Sequence, residues 1–369
     1  MKGWPNAVAL LGIFVGAAGL LALWVLFVRR HYRVRVEPPA LLKATCLDGW
    51  ELGVYYRAAA RRRFSEPVLL CHGLAANHFT FDFEPPFSLA HALAARGFDC
   101  FSIDWRGTAA SRWPSKRCCP ATYTVDDHVR LDAPALLDLA LTKTGAKQAF
   151  WVGHSLGGLI GLAVAQGERV AQLRGLVTIG TPVFFNYDRL LAGAVRVGLL
   201  AAWPYRLRYE WISVALAPFL GHIVLPFSDA IVYPRHIPVA VKRKLYVHLI
   251  TSVGRRVLLQ FDDWIEHNAF RSVDRAVDYR EGIKKLTLPM LMIAGSRDRL
   301  APPIAVEWAS ELSQASDKTL RIFGREHGDA QQYGHGDLIF GERAPEEVFP
   351  LIADWLAARA TSCRQGEPG

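Results

Sequence analysis

The chain has 369 residues, 51% of them hydrophobic and 21% charged, with a formal net charge of +9. That length can bury a large core, and the composition excludes an intrinsically disordered chain. No nucleic-acid-binding motif accompanies the basic excess, much of which sits in two short runs: Arg29, Arg30, Arg33 and Arg35, then Arg61, Arg62 and Arg63. The first run suits anionic lipid headgroups better than nucleic acid.

Ala7–Val28 (AVALLGIFVGAAGLLALWVLFV) carries neither charge nor proline. As a helix it crosses a hydrocarbon core of roughly 30 Å. A cleaved signal peptide competes with this reading. Its apolar region is usually shorter and ends at small residues, whereas Phe27-Val28-Arg29-Arg30 follows here. Residues 1–30 are therefore read as an uncleaved single-pass anchor, with Trp4 and Trp24 near the interfaces. Lys2 on one flank against four arginines on the other places the body on the cytoplasmic side. The six cysteines agree with a reducing compartment: they have no zinc-like spacing, and vicinal Cys118-Cys119 is awkward for a structural bridge. Residues 31–40, with Pro38-Pro39, form a juxtamembrane linker.

From Leu41 the pattern is that of a soluble domain. Two strand-like runs around Asp48-Gly49 predict a β-hairpin over Leu41–Arg57. Val68–Cys71 reads as a short buried strand and leads at once into His72-Gly73-Leu74. Phe87–Arg96 reads as a helix stopped by Gly97, and Asp99–Ile103 as a strand ending in Asp104-Trp105-Arg106-Gly107. Asp132–Thr144 is an amphipathic helix closed by Gly145, followed by strands at Gln148–Val152 and Gly175–Ile179. The rhythm stops at Thr181-Pro182. It resumes with a strand at Pro289–Ala294, a helix at Pro303–Leu312, a strand at Lys318–Phe323 and a helix at Pro345–Ala358. Alternating strands and helices predict a mostly parallel α/β sheet, built from residues 41–181 and 288–360. The aromatic-rich stretch 182–287 is helically patterned and reads as a cap over the sheet's C-terminal edge. Most of its aromatics, which include Phe185, Tyr187, Trp203, Tyr205, Trp211, Phe219, Phe227 and Trp264, are expected to form the cap's own core. Residues 361–369 are a tail.

Within this frame, Phe150–Ile160 (FWVGHSLGGLI) places Gly153-His154-Ser155-Leu156-Gly157 between a strand and a helix, the layout of a nucleophile elbow. Glycines at 153 and 157 let strand and helix pass closely. A serine hydroxyl needs a base to take its proton, and the base needs an acid to fix its tautomer. Asp298, beyond the strand Pro289–Ala294, and His335, in Tyr333-Gly334-His335-Gly336 beyond the last strand, supply them in order along the chain. His327 is a rival base and Asp188 a rival acid, while Asp337 reads as a loop or capping residue. His154 reads as structural, its side chain pointing away from Ser155. Oxyanion donors are expected from the backbone N–H groups of Leu156 and Leu74. Gly73 allows close approach there, and His72 fixes the loop by hydrogen bonding.

On these motifs the chain resembles the α/β-hydrolase superfamily over most of Leu41–Ala358. LLCHGLAANHFTFD, SLAHALAARGFD, DWRG, DLALTKTG and WVGHSLGG resemble its acid-lipase branch. QYGHGDLIFGERAPEEVFPLIADWL is similar to that branch's histidine segment and to polyhydroxyalkanoate synthase relatives. The resemblance implies an α/β-hydrolase fold with a helical cap insertion, and a triad of Ser155, His335 and Asp298 with no metal or organic cofactor. Those synthases use cysteine at the elbow, where this chain has Ser155, so polymer synthesis is not expected. Dehalogenase or epoxide hydrolase chemistry would need aspartate there. The expected protein is a membrane-anchored serine hydrolase acting on a small-molecule or lipid-derived acyl ester. Acyl transfer by the same triad, or a catalytically silent binding module, are the alternatives.

Overall fold

The computed structural model of the chain describes residues 4–37, 39–113, 122–185, 193, 196–197, 206–207, 210–220 and 236–363. Helix α1 (Trp4–His31) has no acidic residue in its first turn and ends on Arg29, Arg30 and His31, cations that suit the negative end of a helix dipole. Eight strands follow: β1 (Ala40–Thr45), β2 (Glu51–Arg57), β3 (Val68–Cys71), β4 (Cys100–Ile103), β5 (Ala149–His154), β6 (Leu173–Ile179), β7 (Met290–Gly295) and β8 (Lys318–Phe323). They form one sheet in the order β1-β2-β4-β3-β5-β6-β7-β8. The β1–β2 and β2–β4 pairs are antiparallel and the others parallel.

The two-residue period of the strands separates two cores. Leu69, Cys71 and Trp151 face one side, packed with α3 (Ala133–Thr144), α4 (Leu156–Val164) and α8 (Pro303–Leu312). Val68, Leu70, Phe150 and Val152 face the other, packed with α2 (Leu89–Arg96) and α9 (Ala344–Ala357). Helix boundaries follow local chemistry. Ser88 caps α2 by accepting from the His91 N–H, and Gly97 (φ 104°) and Gly145 (φ 68°) end α2 and α3 in the left-handed region. One local feature departs from expectation: His128–Asp132 form a widened π turn ahead of α3. It turns both His128 and Asp132 into the interior, where the His128 Nδ1 lies 2.8 Å from Asp132.

Between β6 and β7 the described residues form α5 (Glu210–Leu216), α6 (Val239–His248) and α7 (Arg255–His267), plus a two-residue ladder joining Arg206–Leu207 to Val253–Gly254. This stretch sits on the loop after β3: Thr251 N–H donates to Ala75 O (3.0 Å), and Asn77 donates to His248 O (2.7 Å). Phe185, Trp264 and Phe270 form a buried aromatic cluster that is continuous with the core on the α3, α4 and α8 side of the sheet. Trp211 and Phe219 do not follow the expectation of a core within the insertion, being 57% and 58% exposed. Lys2, Pro38, Cys118, Cys119, Tyr187, Asp188, Trp203, Tyr205, Phe227 and residues 364–369 lie outside the described residues.

Because β3, β5, β6, β7 and β8 run parallel, their C-terminal ends share one edge. In open α/β sheets that edge is where ligands bind.

Candidate active site

Ser155 stands at the junction of β5 and α4 with φ 52° and ψ −117°, a sparsely populated backbone conformation. The strain is held by specific bonds. The Ser155 N–H donates to Ile179 O (2.8 Å), and the Ser155 carbonyl accepts from the Gly158 and Leu159 N–H groups (3.0 and 3.1 Å). Space allows no side chain at the flanking glycines: a Cβ at 153 would overlap the Gly157–Gly158 backbone, and one at 157 would overlap the Cys71 carbonyl.

Asp298 follows β7 and is buried. Its Oδ1 accepts from the Leu300 and Ala301 N–H groups (2.8 and 2.7 Å), which leaves Oδ2 for His335. The His335 Nδ1 lies 2.8 Å from that Oδ2. With Nδ1–H donated to the carboxylate, Nε2 is the atom left to accept a proton. Asp337 fixes the loop carrying His335 by accepting from the Gly334 N–H (2.8 Å). Gly180, at the end of β6 with φ 54°, lies beneath this pair. A Cβ there would stand 3.1 Å from His335 Nδ1 and 3.2 Å from Asp298 Oδ2. Sequence reading passed over Gly180, because a glycine after an apolar strand looks like any turn.

The elbow and the His–Asp pair meet through His154. The expected orientation of His154 away from Ser155 does not keep it apart from the site: its ring packs 4.6 Å from the His335 ring and its Nε2 donates to His335 O (3.2 Å). Loss of water around the ring, with His335 beside it, lowers its pKa to about 3. Gly73 closes the other side: a Cβ there would lie 3.1 Å from Ser155 Cβ and 3.2 Å from His154 Nδ1. The loop after β3 is thus drawn against the serine.

Leu156 is the first residue of α4, where backbone N–H groups have no intrahelical partner. Leu74 and Leu156 line one small cavity of about 20 Å³, together with His72 and Gly73. His72 is buried, its Nδ1 2.8 Å from Gly73 O while its Nε2 accepts from the Trp105 N–H (3.3 Å). A neutral ring satisfies both bonds and a protonated one cannot, and burial lowers its pKa to about 4. The segment Asp104-Trp105-Arg106 serves the same loop. Asp104 accepts from the His78 N–H (2.9 Å), the Trp105 indole donates to His72 O (3.0 Å), and Arg106 is locked to buried Asp132 (2.7 Å). Sequence reading treated that segment as a strand end, since its partners are distant along the chain. Of the rivals, His327 is exposed on the turn after β8 and Asp188 lies outside the described residues.

A larger cavity of about 720 Å³ opens elsewhere, between the end of α1 and the inserted helices, and its described lining includes Arg29, His78, Trp211 and Thr251 but not Ser155.

Residues 66–209 match the family model described as the α/β hydrolase fold. Lipase member M of Homo sapiens is 24% identical over 338 residues, covering 81% of this chain and 77% of that protein. A poly(3-hydroxyalkanoate) polymerase subunit of Haloferax mediterranei is 22% identical over 333 residues, covering 83% of this chain; the chain spans 62% of that subunit's length. Among solved structures, a soluble variant of the monoglyceride lipase of Saccharomyces cerevisiae, in complex with a substrate analog, superposes with a TM-score of 0.62 at 18% identity. It covers 89% of this chain and 98% of that one, a likeness of fold.

Proposed function

Starting from a chain with the α/β-hydrolase fold, we propose that this protein is a serine ester hydrolase of the esterase and lipase type. The observation that carries the reading is the 2.8 Å contact between buried Asp298 and His335 on the sheet edge that presents strained Ser155. In this mechanism His335 Nε2 takes the Ser155 proton as Oγ attacks the ester carbonyl. The N–H groups of Leu156 and Leu74 receive the developing oxyanion. His335 then protonates the departing alcohol, and water, deprotonated by the same imidazole, releases the acid and restores Ser155.

The substrate is read as lipid-derived and the protein as anchored by α1. The most apolar 18-residue window within Ala9–His31 has a mean hydropathy of 2.5 and is only 11% buried against the rest of the protein. A core helix would be mostly covered. The arginines after the anchor put the body on the cytoplasmic side. Residues 182–287 are read as a cap on the site.

Acyl transfer to an acceptor other than water is the second reading, favoured by the polymerase-subunit relative. Product analysis with added alcohols separates the two. Purified full-length protein in detergent is expected to hydrolyse short and medium p-nitrophenyl esters, with Ser155→Ala reducing turnover to background. Undiminished turnover in Ser155→Ala would overturn the assignment.

A further inference from the structure

The last turns of α1 do not stand free. Val25 and Val28 are 1% and 0% exposed, packed with Val214, Ala217 and Val247 of the inserted helices. The Trp24 indole N–H donates to Ala215 O at 3.0 Å, and its ring lies 6.3 Å from that of Phe219. His248 Nε2 bonds Tyr32 O at 3.0 Å, and Glu84 receives both Lys244 and the Arg35 N–H. α1 and α5 are therefore fixed side by side at the level of residues 24–28.

Their outer surfaces make one apolar patch. On α1, Leu23, Leu26 and Phe27 are 65%, 62% and 58% exposed; beside them Trp211, Ile212 and Phe219 are 57%, 61% and 58% exposed. The Arg29 guanidinium lies 5.5 Å from the Trp211 ring centre, pairing a cation and an aromatic at the patch's edge. Counting roughly 20 residues to cross the hydrocarbon core from Ala7 puts Leu26 at its boundary. α5 thus sits where the acyl region gives way to headgroups, the depth at which Trp and Arg side chains concentrate. In water such a patch is a standing liability, and its continuity with the lipid-facing side of α1 favours a bilayer over a second protein.

Resting on the reading of α1 as a membrane anchor, we propose that α5 and the turn to Phe219 seat in the headgroup–acyl boundary beside α1, so that the inserted helices dock on the bilayer surface. The large cavity lined by Arg29 and Trp211 belongs to the same face of the molecule.

The test uses full-length protein in phosphatidylcholine–phosphatidylglycerol vesicles, with Cys118, Cys119 and Cys363 replaced by serine. An NBD fluorophore is attached at Ile212→Cys or, as control, at Lys147→Cys, an exposed loop position just ahead of β5. Lipids carrying a doxyl quencher on the acyl chain are expected to remove most of the fluorescence at 212 and none at 147. Protein that resists carbonate extraction but shows equal, weak quenching at both positions overturns the docking and leaves the anchor standing. Release by carbonate overturns the anchor and the docking together.

Discussion

Asp298 divides its carboxylate between two tasks. One oxygen is held by the Leu300 and Ala301 N–H groups and the other faces His335. Asp298→Asn keeps the shape and the loop bonds but puts an amide where a carboxylate fixed the imidazole's tautomer. The expected result is a loss in kcat of about 10⁴ with KM nearly unchanged. Steady-state kinetics on a p-nitrophenyl ester reads both constants, and an unchanged kcat would remove Asp298 from its role. His72 makes a different prediction, in stability. Its pKa is about 4 in the fold, against an ordinary 6.5. Between those values the unfolded chain takes up a proton that the folded chain refuses. Stability therefore falls as pH drops below about 6.5 and the loss levels off below about 4, with a slope of about 1.4 kcal/mol per pH unit from this residue. Urea midpoints from pH 7 to pH 5 measure it, and His72→Gln should reduce the slope by one proton.

At the scale of elements, the loop after β4, whose Trp105 holds His72 in the loop after β3, is itself fixed by charge as well as packing. Arg106 is 2% exposed and bonds Asp132, itself fully buried, while reaching Asp48 at 2.8 Å. Arg106→Met strips a buried carboxylate of its cation and is expected to cost about 3–5 kcal/mol in chemical denaturation. The elements themselves were largely legible, and the reason is local. Pro303–Leu312 and Lys318–Phe323 have the bounds read from proline, glycine and apolar period. The π turn at His128–Asp132 was not legible, because its partner Arg106 is distant along the chain. Nor was the exposure of Trp211 and Phe219. Apolar residues in a helical pattern read as core unless something outside the fold receives them. Ser155, Asp298 and His335 stood out by type, order and position at strand ends. Gly180 and His154 gained their places only once β5, β6 and the His335 loop were brought together.

On the scale of the whole molecule, one mostly parallel sheet gathers at a single edge residues as far apart as His72 and His335. The same architecture packs the end of the apolar N-terminal helix against the inserted helices, so that the anchor and the docking face proposed above belong to one packed unit. The account stands on Ser155 being an activated nucleophile, and an alkyl fluorophosphonate tests it directly. Full-length protein treated with the probe, then mapped by peptide mass spectrometry, is predicted to carry one adduct on Ser155, absent in Ser155→Ala and strongly slowed in His335→Asn. Folded protein that hydrolyses esters while Ser155 remains unmodified would contradict it.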